Sequence, residues 1–181
     1  YLSTGTTTGN DGNTISNCNV GPAGSKLPLA CIVSFGTSTA IDNSGNTISN
    51  NNIYDYYSDK LISAGIFIGI GNSGWTITNN KLYQTANRTY SAGNTHSGMT
   101  ISSGGGYTIT GNVIGYANSS GTGTTNMIGL TSGALGGTFP GSYTAGGSAN
   151  ATRYNAMSFS FSSGGAVSSV QNNTIAGFAL Y

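Results

Sequence analysis

Thr47-Ile48-Ser49-Asn50-Asn51-Asn52-Ile53 is one of five near-copies of a single phrase: a hydroxyl residue, an aliphatic, a second polar residue, asparagine, then another aliphatic. The other copies are Thr14-Ile15-Ser16-Asn17-Cys18-Asn19-Val20, Thr76-Ile77-Thr78-Asn79-Asn80-Lys81-Leu82, Thr108-Ile109-Thr110-Gly111-Asn112-Val113-Ile114 and Ser169-Val170-Gln171-Asn172-Asn173-Thr174-Ile175. The first aliphatics, Ile15, Ile48, Ile77, Ile109 and Val170, are separated by 33, 29, 32 and 61 residues. Self-similarity at such a period is the mark of stacked equivalent units.

A second marker stands upstream of four of the phrases: Cys31-Ile32-Val33-Ser34-Phe35, Gly65-Ile66-Phe67-Ile68-Gly69, Gly98-Met99-Thr100-Ile101-Ser102 and Ala156-Met157-Ser158-Phe159-Ser160. These segments are short and mostly β-branched, aromatic or otherwise apolar, with Gly, Ser and Asn around them, which is the strand signal. No apolar face at 3.6-residue spacing is long enough for a helix. One unit therefore reads strand, Gly-rich turn, strand, Asn-marked turn, short strand, loop. Three short strands in about 30 residues describe an all-β parallel solenoid.

Alternation along each strand assigns the faces. Ile15, Ile48, Ile77, Ile109 and Val170 are expected to point inward as one aliphatic column, and Val20, Ile53, Leu82, Ile114 and Ile175 as a second. Ile32, Ile66, Met99 and Met157 begin a third, continued by Ile68, Ile101 and Phe159, with Ser34 an imperfect member. Asparagines at the bend, either Asn50, Asn79 and Asn172 or Asn51, Asn80, Asn112 and Asn173, suit a stacked amide ladder. Asn also tolerates the left-handed conformation that such a bend needs.

Thirty glycines, four acids (Asp11, Asp42, Asp55, Asp59) and five bases occur among 181 residues, with a net charge of +1. So small a charge gives no electrostatic reason to expect nucleic acid or an acidic membrane as partner. The length fits one elongated domain over residues 1–181. Neither Tyr1 nor Tyr181 opens onto a polar capping unit, so the expectation is a segment of a longer repetitive protein. Its partners would then be further repeats of the same protein, or other copies stacked along the axis. Cys18 takes an Asn-ladder position and Cys31 opens a strand; a disulfide and two unlinked thiols both fit these positions.

Gly74-Trp75-Thr76-Ile77-Thr78-Asn79-Asn80, Gln84-Thr85-Ala86-Asn87-Arg88-Thr89, Tyr107-Thr108-Ile109-Thr110-Gly111-Asn112 and the run Ile114 to Thr124 resemble the right-handed parallel β-helix repeats of the pectate-lyase-like superfamily. They resemble still more the Gly/Thr/Asn-rich repeats of long secreted surface proteins of environmental bacteria. The resemblance implies a right-handed parallel β-helix and an extracellular or cell-surface setting. It does not imply one activity, since that superfamily holds lyases, hydrolases, spikes and adhesins.

Catalysis finds little chemistry to work with. Enzymes of this superfamily resemble one another in clustered acids, with calcium or a water between them. Here Asp11 and Asp42 lie in turn contexts, and Asp55 and Asp59 lie near Lys60, with Gln84, Tyr116 and Gly177 at the positions corresponding to Asp55 in later repeats. A salt contact or a weak cation site is the reading for that pair. His96, the only histidine, reads as a loop residue. No catalytic residue, metal-ligand set or cofactor motif is assigned.

Two surface features are candidates for binding. Thr14, Thr47, Thr76, Thr108 and Ser169 form one outward column, and Ser16, Ser49, Thr78, Thr110 and Gln171 a second. Residues two apart on a strand lie about 6.6 Å apart and successive strands about 4.8 Å apart. The resulting uncharged grid looks like the Thr-x-Thr faces of ice-binding solenoids. Aromatic contacts to a surface polysaccharide are the other possibility, carried by Tyr54, Tyr83, Tyr90 and Tyr116. The span 117–153 is longer than its counterparts and reads as an extended loop, or as an extra strand at Met127-Ile128-Gly129-Leu130, and insertions of this kind are where solenoids place binding. The expected function is therefore a non-catalytic structural or adhesive segment of an exported, cell-surface or filament protein. A polysaccharide-binding or polysaccharide-degrading β-helix is the alternative, and ice binding comes after it.

Overall fold

The computed structural model describes residues 7–38, 40–129, 152–163 and 165–180. Among these residues the regular elements are all β-strands, and the ladders between them run parallel. The five phrase strands, Thr14–Ser16, Thr47–Ser49, Thr76–Thr78, Thr108–Thr110 and Ser169–Gln171, lie side by side in chain order. Their markers pair in one row: Ile15 with Ile48, Ile48 with Ile77, Ile77 with Ile109, and Ile109 with Val170.

The short strands after the asparagines make a second sheet from Asn19–Val20, Asn52–Tyr54, Lys81–Tyr83, Val113–Gly115 and Thr174–Ala176. Val20, Ile53, Leu82, Ile114 and Ile175 form its row. The upstream markers give a four-stranded sheet from Ala30–Ser34, Ala64–Ile68, Thr95–Ile101 and Arg153–Phe159. There Ile32, Ile66, Met99 and Met157 share one row, and Ser34, Ile68, Ile101 and Phe159 another. Each strand thus pairs with its counterpart one repeat away while the chain passes from sheet to sheet, an arrangement compatible with a parallel β-helix or solenoid.

The columns meet in one core. Ile48, Ile53, Ile66, Ile68, Ile77, Leu82, Met99, Ile109 and Ile114 are wholly buried. Ile15, Val20, Met157 and Phe159 are half-buried, and two column members depart further from the expected burial: Val170 is 41% exposed and Ile175 53%. Both stand on the last strand of their sheets, so only one described neighbour covers each.

Both asparagine positions at the bend are used, for different purposes. Asn17, Asn50, Asn79 and Asn172 adopt φ of 53–56°, and Gly111 takes 68° at the fourth bend. The next residue carries the amide ladder. Asn51 donates its backbone N–H and its side-chain amide to Asn80 Oδ1, Asn80 donates likewise to Asn112, and Asn112 to Asn173, all at 2.9–3.0 Å. Each amide also donates back to the previous repeat, Asn51 to the Ile15 carbonyl and Asn80 to that of Ile48. Cys18 heads this row, where its backbone N–H donates to Asn51 Oδ1 at 2.9 Å. Cys18 and Cys31 are free thiols, and burial pushes the Cys31 thiol up to about 12.

Part of the 61-residue step lies among the described residues. Thr125–Gly129 is a strand, paired in register with Arg88–Tyr90 of the preceding repeat and with Phe178–Leu180 of the next. Arg153–Phe159 then takes its place beside Thr95–Ile101. Within the span 117–153, residues 130–151 lie outside the described residues, as do Tyr1 and Tyr181.

Candidate functional site

The hydroxyl columns sit in register. Thr14, Thr47, Thr76, Thr108 and Ser169 pair in sequence, and Ser16, Ser49, Thr78, Thr110 and Gln171 beside them. All are half-buried or exposed, and the aliphatic between the columns points the other way, into the core. The face is uncharged, but Ser16, Ser49, Ser169 and Gln171 break the methyl pattern of a pure threonine array.

The tyrosines divide differently. Tyr54 and Tyr83 stack with ring centroids 5.4 Å apart and planes 8° apart. A side chain on Gly21 would meet the Tyr54 ring at 2.8 Å, so the ring lies directly over that glycine. Tyr83 is only 7% exposed and Tyr90 only 1%. This corrects the reading of Tyr83 and Tyr90 as surface contacts: a ring enclosed on both faces has none left to offer a sugar. Tyr90 packs on the His96 ring with centroids 4.0 Å apart. Tyr54 and Tyr116 are half-buried, and Tyr116 holds φ of 60° at the turn where Gly177 occupies the next repeat.

The densest polar network surrounds Asp55. Its carboxylate accepts from the Thr85 backbone N–H at 2.8 Å and the Thr85 hydroxyl at 2.7 Å, and it is ion-paired with Arg88. Arg88 Nε donates to Gln84 Oε1 at 2.7 Å, and Gln84 Nε2 donates to the Tyr56 carbonyl at 2.8 Å. The guanidinium carbon lies 5.2 Å from the Tyr57 ring centroid, a cation–π distance. The partner of Asp55 is therefore Arg88, 33 residues on, and not Asp59 or Lys60. Asp59 instead accepts from the Ser91 hydroxyl at 2.8 Å.

The other two acids behave alike. Asp11 accepts from the Ser44 N–H at 2.7 Å and hydroxyl at 3.0 Å, and Asp42 accepts from the Ser73 hydroxyl. Each of the four carboxylates therefore ties one repeat to the next. Among the described residues no group of three or more His, Cys, Asp or Glu is placed to hold a metal ion.

His96 corrects another expectation. It lies within the strand Thr95–Ile101, not in a loop, and is 1% exposed. Nδ1 is 2.9 Å from the Ser63 hydroxyl, and Nε2 has no hydrogen-bond partner among the described residues. Burial holds the ring neutral, lowering its pKa to about 4. Protonation then favours the unfolded chain, where the ordinary value of about 6.5 applies. The stability this group contributes is complete above pH 6.5 and is lost as pH falls towards 4. The loss expected by pH 4 is about 1–3 kcal/mol, since each tenfold difference in proton affinity between the two states is worth about 1.4 kcal/mol. Urea midpoints of wild type and His96→Leu between pH 4 and 7 check this; equal pH slopes for the two would contradict it.

The phrase also has an upstream extension that sequence reading overlooked. Asn46 Nδ2 donates to the Asn10 carbonyl at 2.8 Å, Trp75 Nε1 donates to the Asn43 carbonyl at 2.7 Å, and the Tyr107 hydroxyl donates to the Asn72 carbonyl at 2.9 Å. The position before Thr47, Thr76 and Thr108 thus carries a side-chain donor aimed at a turn carbonyl of the preceding repeat. The available signal was the recurrence Asn10-x-x-Asn13, Asn43-x-x-Asn46 and Asn72-x-x-Trp75. Comparison with protein-family models, with curated proteins and with solved structures finds no match for this chain.

Proposed function

We propose that the chain is a non-catalytic structural or adhesive segment of an exported protein, displayed at a cell surface or in an extracellular filament. In this reading it is a right-handed parallel β-helix whose partners are further repeats of the same protein or copies stacked along the axis. Right-handedness is the expectation for parallel strands joined by crossovers, because a twisted strand packs back onto its sheet in that sense. The observation that carries the function is the use of the acids: each of the four carboxylates accepts hydrogen bonds from a residue 30–33 positions later. A catalytic carboxylate must be free to exchange a proton with a substrate or bear on its reacting carbon. These four are occupied by the neighbouring repeat.

The test is incubation with pectin, alginate and neutral glycans, with and without calcium. Neither unsaturated ends nor reducing sugar should be released, and Asp55→Ala should lower thermal stability, since it leaves the buried Arg88 charge unpaired. Glycan cleavage that Asp55→Ala or Asp59→Ala abolishes would overturn this reading in favour of a polysaccharide-degrading enzyme.

A further inference from the structure

The outer face of the four-stranded sheet carries an open cleft of about 410 Å³. Two rows of paired residues cross its floor. One runs Val33, Phe67, Thr100, Ser158, and the other Ala30, Ala64, Ser97, Asn155. Both rows change from apolar to hydrogen-bonding side chains at the same place, between Ala64–Ile68 and Thr95–Ile101. The apolar half is extended by Leu29, Phe35 and Ile62, which are 46%, 39% and 60% exposed. Phe35 packs on Phe67 with ring centroids 5.5 Å apart. Ser63 and Thr95 complete the lining, in which none of the described residues is Asp, Glu, Lys or Arg; Arg153, paired with Thr95, stands outside it.

We propose that this cleft binds a neutral amphiphile, a single aliphatic chain bearing an uncharged hydroxyl-rich head. The chain lies over Val33, Phe67 and Ile62, and the head over Thr100, Ser158, Ser97 and Asn155. The aligned polarity step sets the orientation of the ligand. The uncharged lining sets the class of head group, since a charged head would be desolvated there without a counter-ion. Volume sets the size: clefts of roughly 300–1,000 Å³ hold small molecules, whereas a stable protein partner needs about 800 Å² on each side. A polysaccharide requires polar partners along its whole length, and half of this floor offers none.

Octyl glucoside below its micellar concentration is the probe, titrated into ¹⁵N-labelled protein. Saturable one-to-one shifts are expected at the amides of Val33, Phe67, Thr100 and Ser158. Octyl sulfate, with the same chain and an anionic head, should bind at least tenfold more weakly, and glucose alone should not shift these amides. Phe67→Ser and Ile62→Asn each change a residue on the outer face and should weaken binding at least tenfold; the fold of each is confirmed by its thermal midpoint. Thr100→Val gives a second handle at the polar end and should weaken octyl glucoside while sparing octyl sulfate. No saturable shift, affinity unchanged in the folded variants, equal affinity for octyl sulfate, or binding of a neutral oligosaccharide in preference to octyl glucoside would each overturn the proposal.

Discussion

Ile77→Asp is expected to lose its cooperative unfolding transition at neutral pH. Ile77 is 0% exposed and pairs with Ile48 on one side and Ile109 on the other, both equally buried. The substitution removes a packed aliphatic, worth about 2–5 kcal/mol, and places a carboxylate among alkyl groups with no partner. The combined loss, on the order of 5 kcal/mol or more, rivals the whole stability of an ordinary domain. Ile77→Val, which keeps the branched shape, should cost only about 1 kcal/mol. Circular dichroism melts of the two variants check the contrast; an Ile77→Asp protein melting where wild type does would refute the buried column.

Asn80→Leu is the next largest effect. The Asn80 side chain accepts from both the N–H and the amide of Asn51, and it donates to the Ile48 carbonyl and to Asn112 Oδ1. Leucine fills much of the space but leaves the Asn51 backbone N–H and one hydrogen of its side-chain amide buried without partners. At about 1–3 kcal/mol for each unsatisfied group, and with losses that overlap, the expected cost is about 3–5 kcal/mol. For a chain of this length that lowers the melting midpoint by about 10 °C. Asn173→Leu removes the same residue type from the last rung, where Val170 and Ile175 are already half-exposed and water replaces lost partners. Its cost should be about 1 kcal/mol. Equal losses at the two sites would show that the ladder stabilises each repeat independently and does not bind one repeat to the next.

The repeat phrase revealed the parts of the fold that recur. The aliphatic columns, the pairing register and the Asn bend all follow from identical residues at a fixed step, because stacking places equivalent positions on one another. What remained hidden was what varies between repeats. His96 and Ser63 meet across one strand pair, and neither belongs to a repeated motif. Arg88 reaches Asp55 from the first position of the strand Arg88–Tyr90, whose place beside Asp55 no local pattern encodes. Tyr83 and Tyr90 carry the same side chain as surface tyrosines, and only the packing around them decides that they are enclosed. The row of Asn46, Trp75 and Tyr107 was obscured for a chemical reason. An amide, an indole and a phenol each donate to a carbonyl of the preceding repeat, so the function repeats although the residue does not.

The cleft belongs to the same category. Its floor is made of positions facing away from the core, where the sequence shows only a loose mixture of Ala, Val, Phe, Ser and Thr. Pairing four strands in register turns that mixture into two ordered rows with a common polarity step.

Repeats stacked one above another fix a single distance across the phrase sheet. Spin labels at Thr14→Cys and Ser169→Cys, in a Cys18→Ser, Cys31→Ala background, report the separation of the first and last strands of the phrase sheet. Four strand spacings of about 4.8 Å place the two backbones about 19 Å apart, with no dependence on the length of the intervening loops. A pulsed dipolar measurement should give one narrow distribution near 20 Å, widened only by the label side chains. A broad distribution, or a maximum well beyond 30 Å, would contradict the stacking of all five repeats in one sheet.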